Sequence, residues 1–123
     1  MIIGIDFDGT CCVHEYPEIG RDIGAIPVLK ELVDKEHLLI LWTIRQGREL
    51  EEAVEWFENN KIPLYGINKN PMQKTWNTSP KLYCKLLIDD IGLGIPLCKG
   101  LTGERPFVDW GKVRELLIEK GIL

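Results

Sequence analysis

The chain has 123 residues, 45% of them hydrophobic and 28% charged, with 19 acidic against 15 basic side chains and a net charge of −4. That length supports one core and leaves little room for a second, so residues 1–123 are expected to form a single domain, and the acidic balance argues against a nucleic-acid partner gripped through its phosphates. No apolar run approaches the ~20 residues of a membrane span, and the start from Met1 to Asp6 lacks the basic and cleavable regions of a signal peptide, which predicts a cytoplasmic protein with no membrane partner.

The first element is the run Ile2-Ile3-Gly4-Ile5, too short for a helix and apolar enough for a buried central strand, leading into Asp6-Phe7-Asp8-Gly9-Thr10. Two carboxylates spaced i, i+2 at the end of such a strand share a face and repel one another, which invites a cation, and hard oxygen donors of this kind suit Mg²⁺. Gly9 lets the backbone turn sharply. After a loop through Tyr16-Pro17-Glu18, Ile26, Leu29, Leu32 and Val33 recur at helical spacing, with Pro27 in the first turn, and predict a helix to about Glu36. Leu38 to Thr43 reads as a second buried strand. Leu50, Ala53, Val54 and Phe57 mark the apolar face of a second helix that opens with Glu49, Glu51 and Glu52 and ends near Asn59-Asn60.

A weaker third strand is predicted over Ile62–Ile67, because Pro63 can only begin a strand or lie on an edge. Asn68 to Thr78 reads as loop. Ser79-Pro80-Lys81 has the order of a helix start, predicting a short helix before the fourth strand, Leu86-Leu87-Ile88-Asp89, which Asp90 follows. Beyond the turn at Gly92-Leu93-Gly94 come a short strand at Ile95 to Cys98 and a final helix after Asp109 that turns Val113, Leu116 and Leu117 inward and ends at Gly121. Residues 101–108 carry no readable role. Cys11, Cys12, Cys84 and Cys98 lack paired zinc-ligand spacing and read as reduced, small apolar fillers.

Strands alternating with helices imply a parallel sheet, whose carboxyl ends lie on one edge. That edge would collect Asp6, Asp8, Thr43, Asp89 and Asp90, with helix starts near Gly47 and Ser79 offering N–H groups to an anion.

The order Asp-x-Asp, strand-end Thr, Lys, strand-end Asp-Asp resembles the haloacid dehalogenase (HAD) superfamily from Met1 to about Gly94: Ile3 to Thr10 matches its first motif, Leu39 to Thr43 its second and Leu86 to Asp90 its fourth. The resemblance implies a Rossmann-like three-layer α/β sandwich around a central parallel sheet. It also implies a Mg²⁺-dependent phosphohydrolase. Asp6 would be the nucleophile that forms an aspartyl-phosphate, Asp8 the acid and base, and Thr43 a donor to the phosphoryl oxygens. Mg²⁺ would be held by Asp6, the Asp8 carbonyl, Asp89 and Asp90. Gly9, Thr10, Ile44, Arg45 and Arg48 would contact substrate, the arginines gripping a second phosphate or a carboxylate. Lys81 is favoured over Lys74 for the third motif, because a Lys at a helix start is better explained by a bound anion than by helix stability. His14 and Trp76 lie in loops that could shield the site.

The segments in which the family inserts a cap are short here, about Cys11 to Gly24 and Asn68 to Thr78, so the domain is expected to be capless, with an open site that a second copy of the chain could cover. The substrate is a phosphorylated compound of a class the sequence leaves open, as are hydrolysis against phosphotransfer. A response-regulator receiver does not fit the motif order. The alternative is a HAD-like domain that binds a phosphorylated ligand or partner with little or no turnover, against which the second carboxylate, Asp8, weighs.

Overall fold

The computed structural model describes residues 1–123. The elements, in chain order, are β1 (Ile2–Ile5), α1 (Ala25–Asp34), β2 (Leu38–Leu41), α2 (Gly47–Asn59), β3 (Gly66–Ile67), a 3-10 turn (Gln73–Thr75), β4 (Leu86–Ile88), β5 (Leu97–Cys98), β6 (Phe107–Val108) and α3 (Trp110–Glu119). Four strands form a parallel sheet in the order β3-β2-β1-β4, and β5 pairs with β6 in a separate antiparallel ribbon. The result is a small α/β sandwich around a central parallel sheet, with its helices against one face. No helix is long and apolar enough to cross a membrane.

Register explains how residues far apart in sequence meet. Ile5 pairs with Leu41 on one side and with Ile88 on the other. Asp6, Trp42 and Asp89 therefore each stand one residue beyond the strand ends on the same edge, and the ladder continues past them through Asp6 N–H to the Ile88 carbonyl (3.0 Å) and Trp42 N–H to the Ile5 carbonyl (2.8 Å).

Side chains alternate across a strand. Ile3, Ile5, Leu39, Leu41 and Ile88 face one way and form one cluster with Val28, Leu29 and Leu32 of α1, Ala53 and Phe57 of α2 and Val113 and Leu117 of α3. Phe7, two residues beyond Ile5, joins this layer with its ring 5.6 Å from that of Trp56, edge to face. The opposite face carries no comparable helix. The segment between β3 and β4 covers it as coil with one 3-10 turn, and Leu82 and Cys84 come so close that a Cβ on Gly4 would meet Leu82 at 3.3 Å and Leu87 at 2.9 Å. The third layer expected from the sequence is thus a coil layer.

Two predicted elements are corrected. The helix at Ser79-Pro80-Lys81 does not form; the Ser79 hydroxyl accepts from the Lys81 N–H (3.2 Å), closing a local turn, and the backbone beyond it is held extended by the buried Gln73, which donates to the Lys81 carbonyl (2.7 Å) and accepts from the Tyr83 N–H (2.9 Å). The strand expected over residues 62–67 is reduced to Gly66–Ile67. Its first residue is spent on the end of α2, since the Ile62 N–H donates to the Phe57 carbonyl (2.9 Å) after Lys61 turns the chain at φ 57°. The four cysteines are free; Cys11 and Cys12 lie in the core, where burial pushes the Cys12 thiol up to about 12.

Candidate functional site

The Asp6, Asp89 and Asp90 carboxylates converge at the carboxyl ends of β1 and β4, each offering an oxygen within 4.8 Å of the others. Thr10, fully buried below them, fixes the arrangement: its hydroxyl donates to Asp6 Oδ2 (2.8 Å) and accepts from the Asp90 N–H (3.0 Å), while its carbonyl accepts from Trp110 Nε1 (2.6 Å) at the start of α3. A contact between the Thr10 side chain and substrate, expected from the sequence, gives way to this supporting role, because the hydroxyl is sealed from solvent and already bonded on both sides. Gly9 is similarly committed, its N–H to the Cys12 carbonyl and its carbonyl to the Val108 N–H. At φ +81°, with His14 Nε2 only 2.0 Å from where a Cβ would stand, no larger residue fits there.

Burial drives the Asp6 carboxyl from its ordinary 3.8 up to about 8; the Thr10 hydrogen bond opposes this and the Asp89 charge adds to it. Burial also raises Asp89. No Lys or Arg pairs with the group; its one ionisable partner is His14, at Asp90, while Arg21, Arg45 and Arg114 pair with Glu104, Asp8 and Glu31. Three converging carboxylates without a strong counter-charge, beside an Asp8 carbonyl to which no backbone N–H donates, are a donor set of hard oxygens that fits a divalent metal ion. An expected result follows: in metal-free protein stability falls as pH rises between about 4 and 8, because the fold retains an Asp6 proton the unfolded chain has released. Adding a divalent cation at a hundredfold excess over its dissociation constant should restore about 2.7 kcal/mol at pH 8 and much less at pH 5, read by thermal melts; equal shifts at both values would show the ion binding elsewhere.

Asp8 is held apart from this cluster. Both its oxygens accept from Arg45, Oδ2 from Nε and Oδ1 from Nη2, each at 2.8 Å. Arg45 is buried, and its remaining N–H groups go to the carbonyls of Pro17 (3.2 Å), Glu18 (2.8 Å) and Glu49 (3.2 Å), so all five donors are used. Its guanidinium also lies between the rings of Phe7 and Tyr16, 5.0 and 5.1 Å from their centroids. The grip on substrate expected of Arg45 would require these bonds to break. Arg48 and Ile44 are exposed, Ile44 fully so.

Thr43 follows β2 half-buried. Its N–H donates to Asn68 Oδ1 (2.8 Å) and its hydroxyl accepts from the Arg45 N–H (3.1 Å), which leaves the hydroxyl proton free to be donated. Lys74 in the 3-10 turn and Lys81 on the coil are both exposed and outside every ion pair. Trp76 is exposed and packs edge to face on Tyr83. His14, read from sequence only as a possible loop contact, is half-buried with Nε2 2.8 Å from Asp90 Oδ2. The segment 101–108 also acquires a place: Phe107 and Val108 form β6, and Val108 buttresses Gly9.

Fold and site together define a Rossmann-like α/β protein with an acidic, cation-fitting cluster on the carboxyl edge of its sheet. No family model matches the chain, and no curated protein matches it. A solved structure, described as that of the conserved protein coded by locus from Bacteroides thetaiotaomicron, is 39% identical with a TM-score of 0.81, over 98% of this chain and 91% of that one. The chain belongs to the same family as that protein, whose description names no reaction.

Proposed function

We propose that the protein is a capless HAD-type phosphohydrolase that depends on Mg²⁺ and cleaves phosphate monoesters through an aspartyl-phosphate. The observation that carries this reading is the convergence of Asp6, Asp89 and Asp90 at the edge where β1 and β4 end. In this reading Asp6, Asp89, Asp90 and the Asp8 carbonyl would hold the metal, whose positive charge would favour the carboxylate form of Asp6 and offset repulsion from the incoming phosphate. An Asp6 oxygen attacks phosphorus as the bond to the leaving oxygen breaks. Asp8 gives that oxygen a proton, then takes one from the water that cleaves the aspartyl-phosphate. Thr43 donates its free hydroxyl proton to a phosphoryl oxygen, and Lys81 supplies a cation to the phosphate.

Arg45 adds a condition to this scheme. Each Asp8 oxygen keeps one lone pair beyond its bond to Arg45, so the acid step either uses that lone pair beside the guanidinium or opens one Asp8–Arg45 bond. Asp8→Asn should therefore slow turnover by about 10²- to 10⁴-fold and accumulate phosphorylated Asp6, detected as an 80-Da adduct by intact mass, an increment set by the HPO₃ group. Rapid turnover by this variant would remove Asp8 from the acid and base role.

The Arg45 clamp is also the one feature that favours a second reading, a phosphate-binding domain with little turnover. Release of phosphate from sugar phosphates, nucleotides, phosphopeptides and phosphorylated oligonucleotides, with Mg²⁺ or chelator, decides between them. Metal-dependent release supports the hydrolase; silence across the panel with metal bound supports the binder.

A further inference from the structure

On the sheet face that lacks helices, the coil between β3 and β4 borders a half-open cavity of about 410 Å³. Trp42 forms its wall nearest the sheet, and Trp42 stands in register with Asp6, one strand spacing away and on the same face. Asn68, whose Oδ1 holds the Thr43 N–H, lines the next side. The walls are built rather than loosely draped: buried Asn70 donates to the Tyr83 carbonyl (3.1 Å) and accepts from the Met72 N–H (3.1 Å), and Gln73 ties down both Lys81 and Tyr83.

The polarity of the free groups gives the cavity its chemistry. The side-chain amide oxygens on its wall are spent within the protein, Asn68 Oδ1 on Thr43, Asn70 Oδ1 on Met72, Gln73 Oε1 on Tyr83 and Asn77 Oδ1 on the Ser79 N–H (2.8 Å). The amide nitrogens of Asn68 and Asn77 make no hydrogen bond to the protein, and Lys69 and Lys74 make no ion pair. No carboxylate lines the cavity, although the chain carries 19 acidic residues against 15 basic. Among the residues that line it, Lys69, Lys74 and the amides of Asn68 and Asn77 are the groups left free for a ligand, beside Trp42.

We infer that this cavity binds a second anionic group on the substrate, a carboxylate or a second phosphate on the leaving portion, gripped by Lys69 and Lys74 while the phosphoryl group lies over Asp6. The inference rests on the phosphohydrolase reading for the identity of the ligand as substrate, and it deepens that reading by naming a dianionic or polyanionic phosphate ester as the class. Charge-assisted bonds to two lysines carry the selectivity; the amides of Asn68 and Asn77 orient the group.

Two matched pairs test it by calorimetry on Asp6→Asn protein with Mg²⁺ at fixed ionic strength: 3-phosphoglycerate against glycerol 3-phosphate for a carboxylate, and fructose 1,6-bisphosphate against fructose 6-phosphate for a second phosphate. The expected result is binding tightened about tenfold by the extra anion in at least one pair, and loss of that gain, with the single-anion partner unaffected, when Lys69→Ala and Lys74→Ala are added together. No gain in either pair, or a gain indifferent to the lysines, overturns the inference. Phosphate release by wild-type protein from the same four compounds separates the two readings: a lysine-dependent gain without release upholds the anion site against the hydrolase, and release without a gain does the reverse.

Discussion

Asp6→Asn is expected to abolish metal-dependent phosphate release, by three orders of magnitude or more on the ~10⁶-fold scale seen when a covalent catalyst loses its nucleophile, and at the same time to yield a more stable metal-free protein. The first effect follows from the proposed chemistry: an amide neither attacks phosphorus usefully nor contributes charge to a metal. The second follows from the fold alone. Asp6 is a half-buried carboxyl raised to about 8 by burial, with Asp89 charge beside it. Below about pH 4 it is protonated in folded and unfolded chain alike and costs nothing. As pH rises toward 8 the unfolded chain gains by ionising and the folded one does not, so stability drains away across that window. Asn keeps an oxygen to accept from the Thr10 hydroxyl, which Asp6 meets at 2.8 Å, and carries no charge to desolvate. Urea melts of the metal-free variant should therefore show a flatter dependence on pH than wild type between 4 and 8, with a higher midpoint at pH 8. Full activity in Asp6→Asn would sink the nucleophile assignment; an unchanged pH dependence would place the buried charge elsewhere.

The same residues show what a sequence makes legible. Asp6, Asp89 and Asp90 were readable because each follows a short apolar run, and a parallel sheet sends every such strand to the same edge, so a local pattern plus a topological rule brings together residues more than 80 positions apart. Pattern also located α1, α2 and α3, whose buried positions recur at helical spacing. The partners of these residues were not readable. Nothing local in the sequence says that His14 meets Asp90, or that Trp110 ties α3 to the Thr10 carbonyl, because these bonds span 76 and 100 positions and depend on where loops come to rest. Ser79-Pro80-Lys81 carried a genuine helix-start signal, but Gln73 competes for the same backbone and wins. β6 is two residues long and too short to leave a period.

Arg45 shows the cost of that blindness most clearly, and its replacement should have the largest effect on stability of any single change at the site. Read locally, an Arg two residues past a strand end looks like a hand held out to substrate. In the fold it is buried, doubly bonded to Asp8 and bonded to three carbonyls that belong to the loop after β1 and to the start of α2. Arg45→Met keeps the apolar stem but removes the guanidinium from between Phe7 and Tyr16 and leaves the Asp8 carboxylate, which is only 16% exposed, without its partner. Breaking a buried pair from one side costs about 3–5 kcal/mol, which in a domain of this size lowers the melting temperature by roughly 10–20 °C. Arg45→Lys should recover less than half of that, since three donors on a single nitrogen reproduce neither the fork on Asp8 nor the three carbonyl bonds. Combining Arg45→Met with Asp8→Asn should cost clearly less than the sum of the two changes, because the second removes the charge that the first strands. Hydrogen exchange adds a spatial check: with the clamp gone, amides of the Tyr16–Glu18 segment should exchange faster while those of β1 and β2 slow-exchange in proportion to global stability only. Losses under 1 kcal/mol in Arg45→Met, or strict additivity in the double variant, would mean that the pair seen at 2.8 Å contributes little, and that Arg45 is free after all to turn toward a ligand.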